Sequence, residues 1–202
     1  MYIGKLVKSN SHTDYICQIY GETEVAEPPA PEDYAFGTFV RVALGEDGRY
    51  LVGVIYDTVL LNPDFGSLGP RLSPEPDLAV FSPDYLAEKV TLVGITALGL
   101  VTPDGGAVQG VPTLAAQIDA QVEPMDDDAV RTFHRPPSSA HPGVRLGYAP
   151  LLLAQGNPLA HHLLRGIIGR LRELFPDSAS QLDVLQNELS WRAYVGPMGG
   201  AR

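Results

Sequence analysis

The first hundred residues contain short hydrophobic runs whose length and composition are typical of β-strands. Residues 3 to 8 alternate between the two faces of one predicted strand, and residues 15 to 20 are rich in aromatic and β-branched side chains. Residues 36 to 44 and 50 to 56 form two further runs, separated by the polar sequence Gly-Glu-Asp-Gly at residues 45 to 48. A short turn containing glycine between two apolar runs predicts a β-hairpin.

Two segments of this β region are rich in proline. Residues 25 to 33 contain three prolines and predict a loop, and the five prolines within residues 62 to 84 predict a long connection across the surface. Residues 90 to 101 are almost continuously apolar, which predicts a buried strand. For residues 114 to 122 the pattern leaves a strand and a short helix open.

After residue 125 the hydrophobic spacing changes to that of helices. Three acidic residues at 126 to 128 favour a helix start, and the prolines at 136 and 137 end that helix. Residues 158 to 175 repeat large apolar side chains every three or four positions, and a second helix follows, capped by Ser178 or Ser180. The expected fold is therefore mainly β: a small closed or partly open β-barrel with a C-terminal pair of helices, α+β overall. We expect a barrel domain over residues 1 to 134, a linker over 135 to 156 and a helical region over 157 to 202.

Charge divides the chain at the same place. The 202 residues carry a formal net charge of -10, of which residues 1 to 156 hold 9 Lys and Arg against 20 Asp and Glu, and residues 157 to 202 hold 5 against 4. A surface this acidic argues against general coating of duplex nucleic acid, which requires clustered Lys and Arg. With a single Cys, no signal-peptide pattern and no apolar run of membrane-spanning length, we expect a cytoplasmic protein that does not enter a membrane.

No catalytic signature dominates the sequence. The three lysines, at 5, 8 and 89, are not placed in a phosphate-binding Gly-rich loop, and neither a dinucleotide-binding fingerprint nor a Gly-x-Ser-x-Gly nucleophile motif is present. Cys17 lies in a predicted strand without a neighbouring Cys, a setting typical of an unreactive buried thiol. We therefore expect a protein without a cofactor that is not an enzyme.

Two alternatives remain open from individual residues. Imidazole and carboxylate groups could hold a metal or another ligand around the predicted linker, using Asp126, Asp127, Asp128, His134 and His141. Aromatic rings on the barrel could stack on the bases of a single-stranded nucleic acid, using Tyr15, Tyr20, Tyr50 and Tyr56.

The candidate partner-binding residues lie in the helical region. Arg165, Arg170 and Arg172 form the one basic cluster, which could dock an acidic partner or the acidic barrel of a neighbouring copy. Leu164 belongs to an apolar stripe too broad for a two-helix seam, and Trp191 is an aromatic side chain of the kind that anchors interfaces. These features predict a homo-oligomer built through the helical end; the alternative is that the two helices only cover one another and the barrel.

The order of the first strands resembles the HAS-barrel, a small β-barrel at the N-terminus of HerA-type DNA translocases that is related to the N-terminal barrel of rotary ATP synthase subunits. The segments that carry this resemblance are Ile-Gly-Lys-Leu-Val at residues 3 to 7, Tyr-Ile-Cys-Gln-Ile at 15 to 19, Gly-Thr-Phe-Val-Arg-Val at 37 to 42 and Leu-Val-Gly-Val-Ile at 51 to 55. In the translocases an ATPase follows the barrel, but residues 163 to 171 have two glycines and no Lys-Ser or Lys-Thr. The resemblance therefore implies the assembly and docking role of the barrel without the motor. It predicts a non-enzymatic adaptor whose protein partner is a HerA-type ATPase or nuclease of a DNA-processing system.

Overall fold

The strands of this chain close into an antiparallel barrel. The computed structural model describes residues 1–62, 90–136 and 143–195, with side chains up to residue 189. The strands are β1 (Gly4–Ser11), β2 (Asp14–Ile19), β3 (Phe39–Ala43), β4 (Tyr50–Leu61), β5 (Val90–Val101), β6 (Ala107–Gln109) and β7 (Gln121–Pro124). Six of them follow one another around the barrel in the order β2, β1, β7, β3, β4 and β5, and pairing of β5 with β2 completes the ring. The predicted mainly β fold with a closed barrel is confirmed.

Two pairings show how the chain builds this ring. The hairpin predicted from the Gly-containing turn is present, with β3 and β4 in register from Phe39 opposite Val54 to Ala43 opposite Tyr50. Barrel closure joins distant parts of the chain, because residues 14 to 18 of β2 pair with residues 92 to 96 of β5. β6 lies outside the ring and pairs only with β5.

Where β4 runs between β3 and β5, its residues 51 to 55 are buried on both faces of the barrel wall. Leu51 and Ile55 of β4 belong to the barrel interior, whereas Val52 and Val54 belong to a second core that also contains side chains of the helices. Successive residues of a strand point to opposite faces, so a wall covered on both sides needs apolar residues at every position. This explains why β4 and β5 have continuous apolar runs rather than alternating ones.

Four helices follow β7 in the part of the chain that the structure describes. They are α1 (Asp127–His134), α2 (Ala149–Ala154), α3 (Ala160–Leu174) and α4 (Ala179–Val195), with a 3-10 turn at Pro176–Ser178 between the last two. The predicted start of α1 is confirmed, because the Asp126 carboxylate accepts a hydrogen bond of 2.8 Å from the Ala129 amide. The helices predicted after residue 157 are also present as α3 and α4.

Part of the segment predicted as a linker packs against the barrel. Within residues 135 to 156, residues 149 to 154 form α2. The residues that precede α2 are held by Gln109 of β6. The side-chain nitrogen of Gln109 donates to the carbonyls of Phe133 and Arg145, and its side-chain oxygen accepts from the Gly147 amide. The division into a barrel domain, a linker and a helical region stays a prediction.

Some sequence expectations are only partly met or lie outside the described residues. Of residues 114 to 122, only the last two enter a strand, β7, and no helix forms there. The connection predicted at residues 62 to 84 lies, apart from its first residue, outside the part of the chain that the structure describes. Among the described residues, no helix is both long enough and apolar enough to cross a bilayer.

Candidate functional site

The helical end of the molecule contains an open apolar groove. Its floor is formed by Leu164 and Ile168 of α3, whose side chains are 2% and 1% exposed. One wall consists of Leu146 with Ala149, Pro150 and Leu153 of α2, and the opposite wall consists of Leu185, Glu188 and Leu189 of α4. The groove encloses about 440 Å³. Glu188 is the one charged side chain among these lining residues, so the surface favours contact with another apolar surface.

The groove follows from the breadth of the apolar stripe on α3. Leu163, Ile167 and Leu171 are buried in the core shared with the barrel. Leu164 and Ile168 belong to the same buried core and, one residue further around the helix, also line the groove. Successive residues of a helix are rotated by about 100°, so one helix can cover the barrel and still present a second apolar row. The predicted breadth of this stripe is thus seen as two rows of side chains.

Polar contacts hold the helices that form the groove walls. At the end of α2, the Gln155 side-chain nitrogen donates a 2.9 Å hydrogen bond to the Thr96 hydroxyl of β5. Between α3 and α4, Nε of Arg172 lies 2.8 Å from Oδ1 of Asp183. Both partners of this ion pair are partly exposed, so it contributes little stability.

The three arginines of the predicted basic cluster have different surroundings. Arg172 is paired with Asp183 of α4, and Nη2 of Arg170 lies 3.2 Å from Oδ1 of Asp127 of α1. The Arg170 guanidinium also lies over the Phe39 ring, 5.7 Å from its centroid. Arg165 is exposed and has no ion-pair partner among the described residues. Two of the three charges are therefore used to join helices within the molecule.

The other two predicted partner-binding residues belong to different parts of the helical end. Leu164 lies on the groove floor. Trp191 belongs to α4, but its side chain lies outside the described part of the structure.

The environment of His134 explains why the ring is unsuitable as a metal ligand. It is fully buried, with Nδ1 2.8 Å from the Val130 carbonyl oxygen and Nε2 2.7 Å from the Tyr148 hydroxyl. A carbonyl can only accept, so Nδ1 carries the proton and Nε2 accepts from Tyr148. Burial, and to a smaller extent the nearby Arg170 charge, lower the His134 pKa to about 4, although the bond to Val130 opposes this. Both ring nitrogens are therefore engaged by protein groups.

No group of three metal-ligating side chains is found among the described residues. Asp126 caps α1, Asp127 pairs with Arg170, and Asp128 pairs with Arg131. His141, the remaining residue of the metal hypothesis, lies outside the described residues.

The tyrosines considered for base stacking do not share a surface. Tyr15 lies in the barrel interior, where its hydroxyl donates to the His12 carbonyl at 2.9 Å. Tyr56 packs against the core on the outer side of the wall, and its hydroxyl donates to Asp14 at 2.7 Å. Tyr20 and Tyr50 are each partly exposed, and the Arg41 guanidinium covers Tyr50 at 4.8 Å. The four rings therefore do not form one stacking platform.

Cys17 has the environment expected of an unreactive thiol. The side chain is fully buried in the barrel interior, and burial raises its pKa to about 12. At neutral pH the thiol is therefore protonated and inaccessible, which is the opposite of what a nucleophile requires.

The model of a family described as "Domain of unknown function (DUF8166)" matches residues 1–199. No curated protein matches the chain.

Proposed function

Since this chain belongs to the DUF8166 family, we propose from its geometry that it is a non-enzymatic assembly module that docks protein through its helical end. The observation that carries this proposal is the open apolar groove between α2, α3 and α4. The exposed apolar area of this groove lies on its walls, where Leu185 is 40% exposed, and such grooves commonly accept apolar side chains of a protein.

The placement of the reactive side chains supports a docking role. The side chains of Cys17, His134 and Tyr148 are buried in the cores, and none of the three is among the residues that line the groove. Catalysis requires such groups to be accessible to substrate. Around the groove, by contrast, the side chains are almost all apolar.

The wider system is proposed from the resemblance of the first strands to the HAS-barrel. A closed antiparallel barrel of six strands is compatible with such a domain. A closed ring has no unpaired edge, so association through its loops and its helical cap would not extend the sheet. We propose that the protein to which the barrel binds is a HerA-type ATPase, or a nuclease of the same DNA-processing system.

Site-specific photo-crosslinking in the native host tests the docking role. A photoreactive residue at position 185, on the groove wall, is expected to give a covalent product with a protein, whereas one at position 159 is not. Leu159 is the matched control because it is also on the helical end and is 43% exposed, against 40% for Leu185. If position 185 yields no protein product, the docking proposal is wrong.

Purification of the full chain from its host tests the wider assignment. A HerA-type ATPase or a nuclease present in stoichiometric amount is the expected result. A stoichiometric bound metal together with turnover of a substrate would instead overturn the non-enzymatic assignment. Metal analysis of the same preparation measures whether a metal is bound.

A further inference from the structure

We propose that the occupant of the groove is α4 of a second copy of this chain, so that two chains form a dimer with twofold symmetry. This inference rests on the docking role proposed above and names its partner. In such a dimer the exposed side of each α4 would enter the groove of the other copy.

The surface of α4 supplies the side chains that this arrangement needs. Val184 is 66% exposed and Leu185 is 40% exposed, so apolar area remains on this helix after it has packed against α3. Val184 precedes Glu188 by one helical turn and therefore lies on the side of α4 that borders the groove. The same helix thus provides one wall of the groove and a neighbouring apolar ridge.

A twofold axis can use adjacent ridge and groove surfaces at the same time. In an isologous contact the same patch is contributed by both copies, so each ridge meets the partner's groove. The 17 residues of α4 give a helix of about 25 Å, long enough to contact its equivalent over several turns.

The distribution of charge favours contact through this end of the molecule. Residues 1 to 156 have a net charge of -11, and residues 157 to 202 have a net charge of +1. Two copies that met through their barrels would bring like charges together, whereas contact through the helical ends keeps the acidic barrels apart. Among the faces of this acidic protein, the helical end is therefore the one where a second copy meets least repulsion.

Salt dependence distinguishes this dimer from a head-to-tail chain of copies. Added salt screens the repulsion between two chains of net charge -10, so it should strengthen a dimer held by apolar contact. A helical end docked on the acidic barrel of the next copy would depend on attraction between unlike charges, and salt would weaken it.

Light scattering and analytical ultracentrifugation of the purified full chain test the proposal. The expected result is a concentration-dependent dimer whose dissociation constant does not rise with salt. Leu185→Asp and Leu185→Lys should each weaken it by at least about tenfold, because either charge must be desolvated in the apolar groove. Leu159→Asp adds the same carboxylate at a side chain of similar exposure outside the groove lining and should leave the dimer intact.

Circular dichroism and thermal unfolding of the variants show whether they are folded. A wild-type monomer at high micromolar concentration, a dimer unaffected by both Leu185 variants, or a dimer that salt dissociates would each overturn this inference. The docking role is tested separately. A photo-crosslink from position 185 to a different protein would exclude the second copy as the occupant of the groove but would support the docking role. Failure of both would show that the groove is not a protein-binding surface.

Discussion

His134 lies in the core where the barrel packs against its helical cover. Its ring lies edge-on to Phe39 of β3 and Phe133 of α1, with centroids 5.2 and 5.1 Å away. Its hydrogen bond to Tyr148 fixes the residue before α2. Because the ring is fully buried and its Nε2 accepts a hydrogen bond from Tyr148, protonation at this position would disrupt the packing between barrel and helices.

This environment predicts a pH dependence of stability. Burial lowers the His134 pKa from 6.5 to about 4, so between these values the unfolded chain binds more protons than the folded one. Stability is therefore complete above about pH 6.5 and falls as the pH is lowered towards about 4, by about 3 kcal/mol from this group. Urea unfolding across this range measures the effect.

A substitution can assign that dependence to His134. His134→Phe should be less stable at neutral pH, because the Tyr148 hydroxyl and the Val130 carbonyl lose their partner, but its stability should change less between pH 6.5 and 4. His162→Gln, at an exposed position of α3, should keep the wild-type slope. An unchanged slope in His134→Phe would contradict the assignment.

Among the elements, β6 depends on a glycine in the neighbouring strand. Gly99 of β5 has a φ of +153°, and a Cβ built there would overlap the carbonyl oxygen of Val108 in β6. Gly99→Ala should therefore displace β6 and release Gln109 from the segment it holds, with a loss of more than about 2 kcal/mol. Thermal unfolding and amide exchange in β6 measure both effects.

A second glycine provides the control for this substitution. Gly166 is an exposed residue of α3 with no neighbour within 4 Å of a built Cβ. Gly166→Ala should raise stability by about 0.5 to 1 kcal/mol, because alanine loses less backbone entropy in a helix. Equal effects of the two substitutions would show that β6 does not constrain position 99.

Sequence patterns predicted the elements that are long and strongly apolar. β4, β5 and α3 could be read from their hydrophobic spacing, and the cap of α1 from its acidic start. β6 has only three residues, and α2 is a six-residue helix inside a segment rich in proline, so neither gives a recognisable period. Both are held by contacts with distant parts of the chain: Gln109 of β6 bonds to Phe133, and Gln155 at the end of α2 bonds to Thr96.

The site was predictable only in part for the same reason. Leu164 could be identified as belonging to a second apolar row of α3. The neutralisation of Arg170 and Arg172 could not, because their partners Asp127 and Asp183 come from other helices. Tyr148 was missed as the partner of His134, because the two residues are 14 positions apart and no spacing pattern connects them.

For the whole molecule, the core between barrel and helices predicts that the two parts depend on each other. It contains Phe39, Val52, Val54 and Leu98 from the barrel, and these side chains are covered by the helices. A chain ending at residue 156 keeps α1 and α2 but loses α3 and α4, so it should expose part of this core and aggregate or bind hydrophobic dyes. Light scattering and dye fluorescence measure this outcome.

Restoring the missing helices provides the control. Co-expression of residues 157 to 202 should return the truncated chain to a dispersed, folded state. A truncated chain that remains monodisperse and keeps its β-sheet spectrum would show that the barrel is stable without its cover.

The position of β7 determines when this barrel can close during synthesis on the ribosome. β7 pairs with β1 on one side and with β3 on the other, yet residues 121 to 124 are made long after both of those strands. Until they emerge, the nascent chain has an open wall with two unpaired edges, which are ready templates for pairing with other chains. A protein with this strand order completes its fold late in translation. Its first half, while newly made and still unpaired, is therefore the part most in need of protection by chaperones.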